Sequence, residues 1–469
     1  MIPKFAVVGH PNKGKSSIVA TLSENQRVAI SPMPGTTYRA DEFTFTINDQ
    51  PQYILVDTPG FQRAGEVLAW LQAHETNASE RRQTVADFVA QHADDDRFHD
   101  ECELLRPILS GAGILYVVDG AKPYGVEYEL EMQILQWTGQ PRMALINQIG
   151  PGNYVEQWEQ ALGQYFSLVR NFDALHADFE KRLNLLRAFG ELDEQWREPL
   201  QRAVTALTEE RQRQQHRAAT EIANLLIDAL TATIEAPLPD TIDEEQLKQR
   251  QTELQQKLLT RLRQREQRAR NAVQGIYHHD TAQRQEPELE VVASDLFTTE
   301  TWELFGLSKL QLIATGGLSG AVAGGGLDLL VGGTSLFAGA IGGALLGGIG
   351  AWWGSDELAQ VKVLGTSLGG KQLQAGPVSS PNFAWVLLGR AWVHHRLTSE
   401  RNHALRTAIN TELLEANTFD HLPAAARNDM ERALTPIRKA DVTVAARSNL
   451  VTRVESLLTS SAPRRNNAA

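Results

Sequence analysis

Short apolar runs alternate with longer amphipathic stretches through the first third of the chain. Lys4 to Val8 is an apolar run that stops at Gly9, so it reads as a buried strand. From Lys15 to Leu22 the apolar positions recur at helical spacing. Glu42, Phe43, Thr44, Phe45, Thr46 and Ile47 alternate, Asn48-Asp49-Gln50 turns the chain, and Gln52 to Val56 returns, which predicts a hairpin. Residues 113–118 and 142–146 are two further buried strands, and 166–170 is a sixth. Helical stretches separate them. Strands that alternate with helices predict an α/β domain with a mostly parallel sheet and one antiparallel strand.

From about residue 177 glycine becomes scarce, and Gln, Arg, Glu and Leu dominate. Leu247, Leu254, Leu258 and Leu262 fall on one helical face, which predicts long helices with a short coiled coil over 177–290, interrupted at Pro237 and Pro239. Residues 291–460 read as a mainly α-helical domain. Within it, 360–378 is a short strand pair around Gly369-Gly370, and 383–417 is helical. The polar stretch 461–469 is expected to be disordered.

Between Lys309 and Asp356 lie 46 residues with one charge, Asp328, and 15 glycines. Gly316, Gly320 and Gly324 are spaced by four, as are Gly339, Gly343 and Gly347, so each trio lines one helix face and two helices can approach closely. This glycine-zipper pattern predicts a helical hairpin over 310–355. Two readings stay open. In one, the hairpin enters a membrane with Trp352 and Trp353 at the interface. In the other, it is a soluble hairpin buried by its neighbours.

The length of 469 residues suggests about three domains at about 150 residues each. We place them at 1–176, 177–290 and 291–460, with a helical insertion at 61–110. Acids outnumber bases 57 to 45, for a net charge of −12, which argues against non-specific nucleic-acid binding. A single cysteine, Cys102, excludes intramolecular disulfides and thiolate cages and fits a reducing compartment. Met1 to Ala6 lacks the basic start and long apolar core of a secretory signal. The expected location is cytoplasmic, including the cytoplasmic face of the inner membrane if 310–355 inserts.

The chemistry concentrates in the first domain. Gly9-His10-Pro11-Asn12-Lys13-Gly14-Lys15-Ser16 fits the phosphate-loop pattern and sits between a predicted strand and a predicted helix, the context that pattern requires. Its backbone amides and the helix N-terminus favour phosphate oxygens. Lys15 is expected on the β- and γ-phosphates, and the Ser16 hydroxyl on Mg²⁺, a hard cation that takes oxygen. Ser17 follows on the same helix start. Asp57-Thr58-Pro59-Gly60 ends the returning strand, where Asp57 suits the outer Mg²⁺ shell and the Gly60 amide a γ-phosphate. Pro34-Gly35-Thr36-Thr37 lies where a switch loop would sit, and Thr37 is favoured over Thr36 as the hydroxyl that completes the Mg²⁺ shell. Asp94-Asp95-Asp96 reads as a solvated helix end, and His278-His279 and His394-His395 as surface or packing residues, because adjacent histidines diverge on a helix.

In that order and spacing, the three motifs resemble the TrmE–Era-type, translation-factor-related GTPases over roughly residues 1–175. The resemblance implies GTP and GDP binding with Mg²⁺, slow hydrolysis and a nucleotide-dependent switch. It assigns catalysis to Lys15, Asn12, Thr37 and Gly60, with Asn12 helping to hold K⁺. It places Gly9, Asn12, Lys13, Gly14, Lys15, Ser16, Ser17, Thr36, Thr37, Asp57, Gly60 and Asn147 around the nucleotide. Phe61 stands where a water-orienting glutamine would be, as in the hydrophobically substituted members. The guanine-reading Asn-Lys-x-Asp is replaced by Asn147-Gln148-Ile149-Gly150, which lacks the aspartate, and Asp173 is a weak substitute. The glycine-rich segment and Phe383 to Ala391 also resemble the uncharacterised domain fused to such GTPases in bacteria.

The expectation is a GTP switch acting on a helical, membrane-associated effector region. The partners expected are guanine nucleotide, a membrane through 310–355, a protein effector and a second copy of the chain. The alternative is a degenerate nucleotide site in a membrane-interaction module without turnover.

Overall fold

The computed structural model describes residues 2–23, 39–75, 77–174, 177–239, 241–277, 295–306, 361–365, 371–400, 419 and 422–459. The expectations for Thr36 and Thr37, for His278-His279, for the hairpin 310–355 and for the tail 461–469 lie outside these residues. Among the described residues no helix is long and apolar enough to cross a membrane. The chain divides into two compact units, Met1–Arg211 with Glu400–Arg406, and Gln212–Ser399 with Thr407–Ala469.

The first unit is built on a six-stranded sheet. Its strands are β1 (Lys4–Val8), β2 (Asp41–Ile47), β3 (Gln50–Asp57), β4 (Gly113–Asp119), β5 (Arg142–Asn147) and β6 (Leu168–Asn171). The order is β2-β3-β1-β4-β5-β6, parallel throughout except for the β2–β3 hairpin. Side chains on a strand alternate between faces, so consecutive apolar residues serve two cores. Phe5, Val7, Leu115, Val117, Met143 and Leu145 face one core, with α1 (Lys15–Ser23) over them. Ala6, Val8, Ile114, Tyr116, Val118, Ala144 and Ile146 face the other. This double burial explains why the central strands read as unbroken apolar runs.

The segment between β3 and β4 is helical. It holds α2 (Ala64–His74), α3 (Arg81–Gln91) and α4 (His99–Leu109), and Val67, Leu71, Phe88, Leu104 and Leu105 put it on the second face. There α5 (Glu127–Trp137) and α6 (Val155–Leu162) join it through Met132, Leu135 and Trp158. Asp94-Asp95-Asp96 does sit at a helix start: Asp95 accepts the Arg97 amide at 2.9 Å.

Helix α7 (Phe179–Gly190) and the first half of α8 (Glu194–Leu230) pack on the first face through Leu186, Phe189, Trp196 and Leu200. The continuous part of the first compact unit therefore runs to Arg211, inside α8. Glycine-poor composition marks where long helices begin, but it does not say which core their apolar faces serve.

The second unit is mainly helical around a small antiparallel sheet. That sheet is β7 (Ile234–Leu238), β9 (Lys371–Ala375) and β8 (Val361–Gly365), in the order β7-β9-β8. The expected strand pair is present, and β7 is an addition. Pro237, read from the sequence as a break, lies within edge strand β7, where a missing N–H is tolerated. Leu254, Leu258 and Leu262 of α9 (Glu244–Ile276) are buried, with Leu247 partly so. They enter a core shared with Ile222 and Leu226 of α8, Leu373 and Ala375 of β9, and the helix Phe383–Glu400. The leucine stripe thus serves a mixed globular core. Phe383 to Leu388 are all buried, which places that helix at the centre. Buried Arg390 is ion-paired to buried Glu266 at 2.5 Å. His395 bonds the Tyr277 hydroxyl at 2.8 Å, a packing role as expected.

Candidate nucleotide site

The phosphate loop leaves the end of β1 and runs into α1, at the carboxyl ends of the parallel strands, where open α/β sheets place ligands. Glycine is demanded by geometry at Gly9, where φ is +141° and a Cβ would meet the Val117 carbonyl oxygen at 2.5 Å, and at two further positions. Gly14 has φ +83°, and a Cβ there would meet Asn147 Nδ2 at 2.2 Å. A Cβ on Gly60 would meet Pro11 N at 2.7 Å, so the turn after β3 lies against the phosphate loop. Asn12 is exposed at the loop tip with φ 60°, a conformation that asparagine tolerates better than most residues.

Lys15 is buried, and its Nζ donates to the carbonyls of Gly9 at 3.2 Å and His10 at 3.1 Å. Burial lowers its pKa from 10.5 to about 8, against the opposing pull of Asp57 and Glu131. An anion at the loop would relieve that cost. Ser16 Oγ donates to Asp57 Oδ2 at 2.7 Å, so a hydroxyl and a carboxylate already meet beside the loop. This all-oxygen pair fits Mg²⁺ chemistry, and Ser16 and Asp57 are the described residues that would hold the ion. Thr58 Oγ1 donates to the Val7 carbonyl at 2.8 Å and ties the Asp57–Gly60 turn to β1. Ser17 is half-buried at the third position of α1.

Asn147, at the end of β5, is 3% exposed. Its Nδ2 donates to the Lys13 carbonyl at 3.1 Å, and its Oδ1 accepts the Ala174 amide at 3.1 Å. Ala174 is held again through its carbonyl, by Thr21 Oγ1 at 2.8 Å. Asn147 thus joins the phosphate loop, β5 and the loop after β6. Gln148 turns away from this role, and its Nε2 bonds the carbonyls of Gly150 at 2.7 Å and Gly152 at 2.5 Å. At Gly150, where the aspartate would stand, an added Cβ would make only ordinary contact with Ala121 at 3.5 Å.

The described residues bring together the phosphate loop, Ser16, Asp57, Gly60 and Asn147. Two carboxylates that the motifs do not contain also belong to the site. Glu131 of α5 is 2% exposed and accepts from Tyr116 Oη at 2.8 Å, and its other oxygen lies 2.8 Å from His10 Nδ1. Lys13 Nζ lies 5.4 Å from the Tyr128 ring centroid on the same helix, and burial lowers its pKa. A signal for Glu131 was available: Tyr128, Glu131, Met132 and Leu135 share one helix face, so an acid sits in an apolar stripe. The second carboxylate, Glu101 of α4, accepts the Gln62 and Arg63 amides at 2.9 and 2.6 Å. Nothing in its local sequence, Glu-Cys-Glu-Leu-Leu, marks it.

Residues 4–148 match the family described as 50S ribosome-binding GTPase, and residues 159–454 match the family described as domain of unknown function DUF3482. Among curated relatives, GTPase Der of Polynucleobacter asymbioticus is 51% identical over 65 residues, 14% of each chain. GTPase Der of Citrifermentans bemidjiense is 39% identical over 88 residues, 19% of this chain and 20% of that one. The chain thus spans a fifth or less of the length of these relatives. Among solved structures, Era in complex with MgGDPNP and a 16S ribosomal RNA segment is 21% identical, with 41% of this chain and 56% of that one covered and a TM-score of 0.30. Residues 4–148 are a P-loop GTPase domain.

Proposed function

For a chain that belongs to the DUF3482 family and carries a P-loop GTPase domain ahead of it, we propose a guanine-nucleotide switch. It binds GTP with Mg²⁺, hydrolyses it slowly and reports its nucleotide state to the helical DUF3482 region. The observation that carries this reading is the phosphate loop itself. Lys15 is held at its mouth on two carbonyls, and Ser16 is paired with Asp57 at 2.7 Å.

Triphosphate oxygens would replace the Gly9 and His10 carbonyls as acceptors for Lys15. The buried ammonium would then exchange a costly environment for an anionic partner. Bound Mg²⁺ would neutralise β- and γ-oxygens, held by Ser16 and Asp57 and, on the family resemblance, Thr37. The Gly60 amide is expected to face the γ-phosphate. Water is the nucleophile. Phe61 is 1% exposed and packed in the core with Val67 and Leu68, so it does not orient that water. The proposal therefore rests on positioning and charge neutralisation for rate, which accords with slow turnover. The resemblance adds K⁺ beside Asn12, expected to stimulate turnover relative to Na⁺.

Guanine preference rests on the GTPase family match and on Asn147. The carbonyl-bound Gln148 and the bare Gly150 favour a second reading, a degenerate site that binds without turnover. Single-turnover assays with GTP and ATP, with Lys15→Ala as control, separate the two readings. Lysine-dependent release of phosphate from GTP supports the switch, whereas binding without release supports the degenerate site. For 310–355 we carry the membrane hairpin. Liposome flotation of the full chain against a chain lacking 310–355 tests it, and equal flotation of both refutes it.

A further inference from the structure

The N-terminal turn of α4 reaches the nucleotide site with three consecutive acidic or basic residues, His99, Asp100 and Glu101. Glu101 is 1% exposed. Its Oε1 accepts two successive backbone amides, Gln62 at 2.9 Å and Arg63 at 2.6 Å. These amides directly follow Gly60 and Phe61 and precede α2, whose N-cap, Arg63, makes no side-chain cap of its own. The second carboxylate oxygen, Oε2, is buried and has no hydrogen-bond partner among the described residues. A buried carboxylate carries a desolvation cost that two charge-assisted bonds offset, so its position is closely defined by those amides.

One further hydrogen bond ties α4 to the chain beside the same site. Glu103, one residue beyond Cys102, accepts the Ala40 amide at 3.1 Å with Oε2, at the entry to β2. Asp100 and Lys15 interact electrostatically, and burial raises the Asp100 carboxyl while Lys15 opposes that rise. One helix of the insertion therefore grips the turn after Asp57-Thr58-Pro59-Gly60 and also the start of the hairpin.

We infer that Glu101 is a positioning residue for triphosphate recognition: by fixing the Gln62 and Arg63 amides, it sets the Gly60 turn so that the site distinguishes GTP from GDP. The inference rests on the switch reading above. It also makes the helical insertion part of the switch, because the carboxylate that orients the turn belongs to α4. Glu103 at Ala40 gives the same helix a second hold on the chain that leads into β2.

The test uses the full chain with Glu101→Gln, Glu101→Asp and Glu101→Ala, titrated with GDP and with a non-hydrolysable GTP analogue, alongside single-turnover hydrolysis. Glutamine keeps an acceptor oxygen at the same reach, whereas aspartate keeps the charge but is one methylene too short for both amides. The expected result is GDP affinity within about threefold of wild type in all variants. Preference for the GTP analogue over GDP and the hydrolysis rate should fall about tenfold to a hundredfold in Glu101→Asp and Glu101→Ala and be largely retained in Glu101→Gln. If Glu101→Ala loses GDP binding through misfolding, Glu101→Asp decides. A Glu101→Asp chain with wild-type GTP preference and rate overturns the inference and leaves the switch reading intact. So does a chain that loses GDP and GTP binding in equal proportion. A wild-type chain that binds neither nucleotide overturns both.

Discussion

Replacing Lys15 with methionine should make the nucleotide-free protein more stable while removing its response to triphosphate. The side chain is 8% exposed, and burial brings its ammonium from 10.5 to about 8. At about 1.4 kcal/mol per tenfold change in protonation equilibrium, that displacement corresponds to roughly 3 kcal/mol of cost borne by the charged form. Methionine keeps most of the apolar stem and removes the charge. It also removes the donor to the Gly9 and His10 carbonyls, a loss of about 1 kcal/mol each. The net gain is about 1 kcal/mol at neutral pH, or about 2–4 °C in a unit of this size. Below about pH 8 Lys15 is charged in both folded and unfolded chains, and the cost is fully present. Between that value and 10.5 the folded chain releases its proton while the unfolded chain keeps it, so wild-type stability recovers relative to the variant. Above 10.5 both are neutral and the charge-burial advantage of methionine is gone. The assay is urea unfolding of nucleotide-stripped wild type and Lys15→Met, followed by intrinsic tryptophan fluorescence across that pH range. A variant less stable than wild type at neutral pH refutes the reasoning. So does an advantage that stays constant through the window.

Asn147→Ala removes a donor from the buried Lys13 carbonyl and an acceptor from the Ala174 amide, so it should destabilise the first unit by about 2–4 kcal/mol in denaturant unfolding and abolish measurable nucleotide binding. Gly150→Asp restores the missing carboxylate where a Cβ meets only ordinary contact, and the ratio of GTP to ATP affinity should rise about tenfold to a hundredfold in competitive titration. In the second unit, Glu266→Ala takes the carboxylate from buried Arg390 and should cost about 3–5 kcal/mol, whereas the double change Glu266→Met with Arg390→Met should recover most of it.

The parts of the fold set by local periodicity were legible in the sequence. The central strands show as apolar runs because both faces are covered, and the phosphate loop shows because its glycines and lysine occupy fixed offsets. The unit boundary was not legible. Helices α7 and α8 carry apolar faces whose pattern does not name the core they serve, and packing assigns Leu186, Trp196 and Leu200 to the sheet. Edge strand β7 was hidden by Pro237, whose strand character depends on lying at an edge. Within the site, the motifs located Lys15, Ser16, Asp57 and Asn147. Glu131 stands out as an acid in the apolar stripe of α5, but its partners, the Tyr116 hydroxyl and the His10 ring, come only with folding, and Glu101 carries no local signal at all, because its meaning comes from the two amides that folding brings to it. Ala174 was equally hidden, since its contribution is a backbone amide and carbonyl and not a side chain.

The most direct test of the central claim is calorimetric titration of the nucleotide-stripped full chain with GTP, GDP and ATP in Mg²⁺, with Lys15→Ala beside it. The account predicts micromolar binding of GTP and GDP, weaker binding of ATP, and loss of the GTP signal in Lys15→Ala. No binding of any nucleotide by the wild-type chain, or GTP binding that survives Lys15→Ala unchanged, would contradict it.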